Sequence, residues 1–122
     1  AAEKDAIREW VRDRAKPYFG VCLGHQLLCD ALGSEIGLAE NPEVGVFEVS
    51  LTDDGKSHKL FAGLAPANRV MQWHWAEAKR APQGAKLLAT SEKSAIQAVA
   101  IDDHAISTQF HCEFTPQTMA AW

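Results

Sequence analysis

Residues 1–15 carry Ile7, Trp10 and Val11 at i, i+3, i+4 spacing, with charged residues filling the other face. That pattern predicts an amphipathic helix, which Pro17 ends. Tyr18-Phe19-Gly20-Val21 reads as a short buried strand. His25 to Leu32 reads as a helix with an apolar stripe of Leu27, Leu28, Ala31 and Leu32, and Gly33 suits its end. From residue 44 the period drops to two: Phe47, Val49 and Leu51 alternate with Glu48 and Ser50, as in a half-buried strand. Asp53-Asp54-Gly55-Lys56 is a turn signal. Further strands are predicted at Arg69–Trp73, Lys86–Ala89, Ala95–Ile101 and Ala105–Phe110. Thr115-Pro116 then suits a helix start, with Thr as cap and Pro in the first turn. Helix, strand and helix in close succession predict an α/β layer architecture. No repeat or linker interrupts the pattern, so residues 1–122 are read as one domain. Both ends fall inside helix-like patterns, and position 1 is Ala. The expectation is a partial domain, part of something longer.

Composition narrows the function class. Of 122 residues, 47% are hydrophobic and 23% charged, as in an ordinary globular chain. No apolar run is long enough for a membrane span, and no signal-peptide pattern is visible. A net charge of −4 argues against nucleic acid, whose phosphates call for a basic face. Three cysteines without framework spacing suggest reduced thiols in a cytoplasm-like compartment. No His/Cys cluster has ligand spacing, so neither a metal nor a cofactor is expected.

Candidate chemistry centres on Gly20-Val21-Cys22-Leu23-Gly24-His25-Gln26. A strand runs straight into a helix through a turn with glycine on both sides of a cysteine, the thiol form of the nucleophile elbow. The sharp turn strains the Cys22 backbone, and small neighbours remove side chains that would clash. At a helix start the macrodipole favours thiolate over thiol. The Leu23 N–H points to the same spot and can stabilise an oxyanion there.

A thiol nucleophile needs a base and a group to orient it. Among five histidines, His58 and His104 sit in polar loops and are read as solvated, and His25 as packing or capping on the helix. His111 ends the apolar strand 105–110, and Glu113 follows two residues later, on the same face of an extended segment. The C-terminal ends of strands are where open α/β sheets place their sites. Cys22, His111 and Glu113 therefore suit nucleophile, base and orienter. Cys29 is read as packing on the helix after the elbow.

These segments resemble the class I, or triad, glutamine amidotransferase family, and within it the free-standing branch similar to the amidotransferase of GMP synthase. Residues 19–28 resemble the family's elbow almost residue for residue, and 108–116 its histidine–glutamate motif. Weaker matches at 60–64, 72–74 and 87–91 fall between in the expected order. The resemblance implies an open, mostly parallel sheet flanked by helices, flavodoxin-like, incomplete at its N-terminus. It also implies that Cys22 attacks the glutamine carboxamide to form a γ-glutamyl thioester. His111, held by Glu113, moves protons, Leu23 N–H serves the oxyanion, and Gln26, Trp73 and His74 line the glutamine pocket. Released ammonia passes to an acceptor supplied by a synthetase partner or a missing domain.

Three departures qualify that implication. Cys112 stands where the family has proline, freeing φ between the histidine and the glutamate. Trp75-Ala76 stands where the family has Gly-Asp. Residues 1–16 match neither the first strands nor the glycine-rich oxyanion loop, so these 122 residues alone are expected to be weakly active at best. Besides glutamine hydrolysis, two other functions suit the chain: a γ-glutamyl peptidase or hydrolase on the same scaffold, and a lapsed enzyme kept for binding or regulation.

Overall fold

The structure, a computed structural model, describes residues 2–111. Glu113, Cys112 and the helix start expected at Thr115-Pro116 lie outside the described residues. The first helix, α1 (Ala2–Arg8), runs into a wider π-helical turn, Glu9–Asp13. There follow β1 (Tyr18–Val21), α2 (Leu23–Ala31), β2 (Ile36–Leu51) and a short α3 (Asp53–Ser57). Next come β3 (Ala67–Ala78), β4 (Lys86–Thr90), β5 (Ala98–Ile101) and β6 (Ala105–Thr108). The six strands form one sheet in the order β1-β6-β5-β4-β2-β3.

The open α/β sheet expected from the sequence is present, but its pairing is mixed rather than mostly parallel. Among the described strands β1 and β6 are parallel, and the remaining neighbours are antiparallel. Short connections explain the difference. Three residues, 102–104, join β5 to β6, and only an antiparallel neighbour can be reached that way. The turn signal at 53–56 folds as α3, capped by Thr52, whose hydroxyl accepts from the Gly55 N–H. Gly55 presses against β4, where a methyl group would overlap the Leu88 carbonyl. Strand β2 starts eight residues before the alternation at 44–51 predicts it, as one arm of a long hairpin with β3.

Alternation along β5 and β6 divides the core between the two faces of the sheet. On one face Val99, Ile101 and Ala105 pack with Leu28, Cys29 and Leu32 of α2 and with Val11. On the other, Ala98, Ala100 and Ile106 pack with Val49, Leu51, Phe61 and Leu88. This second face holds a cavity of about 600 Å³, lined mainly by apolar side chains such as Phe19, Val49, Leu51 and Phe61, with His111 also in its lining. His104, expected to be solvated, is half-buried, and its Nε2 is 2.8 Å from the Val11 carbonyl, tying the β5–β6 turn to the N-terminal helical segment. His58 is exposed, and its Nδ1 accepts from the Leu60 N–H at 3.2 Å. No helix among the described residues is long and apolar enough to cross a membrane.

Candidate active site

Cys22 lies between the last residue of β1 and the first of α2, with φ 55° and ψ −101°. A non-glycine residue there is strained by about 1–3 kcal/mol, a cost the surrounding structure must hold in place. Three contacts do so. The Cys22 amide donates to the Thr108 carbonyl at 2.8 Å, continuing the β1–β6 ladder. The Cys22 carbonyl accepts from the Gln26 N–H at 3.1 Å, the first bond of α2. The Tyr18 hydroxyl donates to the Gly24 carbonyl at 2.7 Å, bracing the first turn.

The two flanking glycines have different reasons. A Cβ at Gly20 would sit 2.7 Å from the carbonyl carbon and oxygen of Gly24 and 2.8 Å from the Tyr18 ring. The strand and the helix cross too closely there for any side chain. A Cβ at Gly24 would meet only the Tyr18 hydroxyl, at 3.7 Å, an ordinary contact.

The Cys22 thiol is half-buried. Its Sγ lies 3.6 Å from the Trp73 carbonyl and 3.7 Å from Gln109 Nε2. Gln26, on α2, points its amide back across the sheet: Nε2 donates to the Ala76 carbonyl at 3.0 Å and to Gln109 Oε1 at 3.1 Å. Leu23, the candidate oxyanion donor, is the first residue of α2, where backbone N–H groups lack intrahelical acceptors; its side chain is exposed.

His111 follows β6 by three residues, and its amide bridges to the Met71 carbonyl at 2.9 Å. Because β1 and β6 are parallel neighbours, Cys22 and His111 both leave the same end of adjacent strands. Glu113 lies outside the described residues. Trp73 and His74 part company: Trp73 is 50% exposed, whereas His74 is turned inward at 3%. His74 Nε2 is 2.9 Å from Glu43 Oε1, and its Nδ1 is 2.9 Å from the Ala76 carbonyl.

Two buried groups behind the elbow are electrically quiet. Burial pushes the His25 pKa down to about 4; a hydrogen bond with the Ile96 backbone opposes this and the charge of His74 adds to it. His25 Nδ1 is 2.7 Å from the Ser107 hydroxyl. Burial pushes the Cys29 thiol up to about 12.

Sequence reasoning missed Gln109 and Glu43 as members of the site. Gln109 sits within the motif at 108–116 without an evident role, since its part depends on β6 lying beside the elbow. Glu43 falls before the alternating stretch, and nothing local marks it as buried. Among the described residues no group of His, Cys, Asp and Glu could hold a metal ion.

Fold and site together define an open α/β sheet with a cysteine on a strand-to-helix elbow, on the strand that ends the sheet among the described residues. Its sequence matches the family model "Glutamine amidotransferase class-I" over residues 1–121. The chain belongs to that family. It is 37% identical over 106 residues to a glutamine-hydrolyzing GMP synthase subunit of Sulfurisphaera tokodaii, covering 86% of this chain and 55% of the relative. The corresponding protein of Thermococcus kodakarensis is 36% identical over 109 residues, covering 88% and 56%. The chain thus spans about half the length of these curated relatives. Among solved structures, a glutamine amidotransferase from Thermotoga maritima superposes with a TM-score of 0.86 at 32% identity, covering 99% of this chain and 50% of that one.

Proposed function

We propose that this chain carries the nucleophile of a glutamine-hydrolysing site, with Cys22 as the attacking thiol. The reading rests on one observation above all: a half-buried cysteine held at φ 55° where a strand turns into a helix. Thiolate sulfur attacks the side-chain carbonyl carbon of glutamine, and the oxyanion that forms takes a hydrogen bond from the Leu23 N–H. His111, oriented by Glu113, gives a proton to the leaving ammonia. It then takes one from the water that cleaves the γ-glutamyl thioester to glutamate and free thiol. Gln26 and the exposed Trp73 border the glutamine, while His74 supports that wall from inside. The reaction needs no cofactor, and the thiol needs a reducing compartment such as the cytoplasm. Ammonia passes to a synthetase partner or a further domain, a role in keeping with relatives named as part of a synthase.

A second reading has an observation of its own. Trp75 is exposed on the same strand face as Trp73, where the family pattern has glycine. An aromatic wall there suits a larger leaving amine, as in a γ-glutamyl peptide. The test is glutamate release by the full-length protein from glutamine and from γ-glutamyl dipeptides, with Cys22→Ser as control. Release from glutamine that is lost in C22S supports the first reading. Release from dipeptides alone supports the second, and release that survives C22S sinks both.

A further inference from the structure

His74 Nε2 faces Glu43 Oε1 with both side chains 1% exposed, whereas the Lys and Arg ion pairs among the described residues reach the surface. Both ring nitrogens of His74 face acceptors, Glu43 Oε1 and the Ala76 carbonyl, each at 2.9 Å. A neutral imidazole has a single N–H and cannot donate to both. The carboxylate in turn is surrounded by donors: Gln97 Nε2 at 2.8 Å on Oε1 and the Ser91 hydroxyl at 2.9 Å on Oε2. Gln72 Nε2 holds the far side of Gln97 at 3.0 Å. An imidazolium against a carboxylate satisfies every one of these contacts.

Burial disfavours both charges, yet the hydrogen bonds prevail. His74 is raised by Glu43, the Ala76 carbonyl and the charges of Glu43 and Glu77. Glu43 is lowered by His74, Ser91 and Gln97. His25 of α2 also feels the His74 charge and is itself held neutral by burial, and Glu48, Glu92 and Lys93 line the same surface cavity as Glu43.

The pair connects to the elbow through one carbonyl. Ala76 O receives both His74 Nδ1–H and Gln26 Nε2–H. Gln26 holds Gln109, and Gln109 reaches Cys22 Sγ, while the carbonyl of Trp73, the residue before His74, faces the same sulfur. We propose that the buried Glu43–His74 pair positions Cys22, by clamping strand residues 73–76 against both the thiol and Gln26. This rests on Cys22 being the nucleophile. Glu43 and His74 are positioning residues, acting through Ala76 and Gln26 rather than on substrate. Should the pair lose its shared proton, a ring lone pair faces either Glu43 or the Ala76 carbonyl. The strand segment then shifts to relieve the repulsion.

The test uses the full-length protein labelled with ¹⁵N-histidine, at about pH 7.5, a unit above the ordinary histidine value. Wild-type His74 is expected as an imidazolium with both nitrogens protonated. Glu43→Gln keeps the side chain's size and removes its charge. Its ring is expected to be neutral and Cys22 alkylation slowed by about tenfold or more, as befits a displaced reacting group. Glu43→Asp restores the charge and is expected to recover most of that loss. A neutral wild-type ring overturns the proposal, as does E43Q with a neutral ring and unchanged Cys22 reactivity. If neither variant folds, the wild type is titrated upward: alkylation that drops as His74 loses its proton supports the clamp, and alkylation that keeps rising overturns it. Failure of the nucleophile reading shows separately, as glutamate release that survives Cys22→Ser.

Discussion

The Cys22 amide donates to the Thr108 carbonyl at 2.8 Å, so the strained elbow is fastened to the strand whose next residues are Gln109, Phe110 and His111. The parallel pairing of β1 with β6 is what brings two segments more than eighty residues apart to one sheet edge. Anything that separates β1 from α2, or β1 from β6, is therefore expected to disarm the thiol before it unfolds the domain.

The two glycines of the elbow give the sharpest contrast. Gly20→Ala places a methyl group against the Gly24 backbone, which no rotamer change can relieve. It is expected to destabilise the protein by about 1–3 kcal/mol, the usual cost of overpacking. Gly24→Ala meets only an ordinary contact and replaces glycine inside a helix. It is expected to be neutral or stabilising by up to about 1 kcal/mol. Denaturant midpoints of the two variants check this, and equal losses would mean that the strand and helix are not in close contact.

Much of this site is legible in the sequence because it is local. The elbow is written in seven consecutive residues whose spacing follows directly from turn sterics. The alternation at 44–51 likewise marks part of β2. What is not legible depends on distant pairing. Trp73 and His74 share one motif and are expected from it to line one pocket, but neighbours on a strand point to opposite faces. Trp73 is thus exposed and His74 buried on a glutamate thirty-one residues away. The first half of β2 is hidden because Glu40, Asn41 and Pro42 break any alternation there; its hairpin with β3 carries a register shift between Leu38 and Glu43. The mixed pairing of the sheet is hidden for a related reason, since strand direction follows from connections rather than from strand composition.

Thiol reactivity should separate Cys22 from Cys29. Cys29 is 0% exposed and its thiol is pushed up to about 12, so it stays protonated and inaccessible in the folded protein. Alkylation of native protein at mildly alkaline pH, read by peptide mapping, is expected to label Cys22 and spare Cys29. Full labelling of Cys29 is expected only in denaturant, because the thiolate is the reacting species. Native labelling of Cys29 at the same rate would mean that α2 does not stay packed on the sheet.

Gln97 is the hinge of the buried polar network. Its amide donates to Glu43 and to Ser91, and its oxygen accepts from Gln72, whose own Oε1 has no partner among the described residues. Gln97→Ala leaves a buried carboxylate short of a donor and the Gln72 amide short of an acceptor. An orphaned buried polar group costs about 1–3 kcal/mol, more beside a charge, so a loss of about 3 kcal/mol is expected. Gln97→Glu should also be poorly tolerated, because it sets a second carboxylate against Glu43. Urea denaturation of both variants checks the ordering. A Q97A variant as stable as wild type would show that water replaces the lost contacts.

Stability should also depend on pH through His25. The unfolded residue takes up a proton near its ordinary value of about 6.5, whereas the folded one stays neutral down to about 4. Between those limits the unfolded state holds more protons, so stability rises with pH. The contribution is complete above 6.5 and is lost as pH falls toward 4, in all about 3 kcal/mol. Glu43 acts in the same direction but lower, below its ordinary 4.5, while His74 acts in the opposite sense, its contribution fading as pH climbs past its raised value. The window from about 4.5 to 6.5 therefore belongs to His25 within this group. Denaturation midpoints across that window are expected to climb in the wild type and to flatten in His25→Asn, whose amide does not titrate. A flat wild-type profile would mean that His25 is protonated in the folded protein, with the Ser107 hydroxyl oxygen accepting from its Nδ1–H.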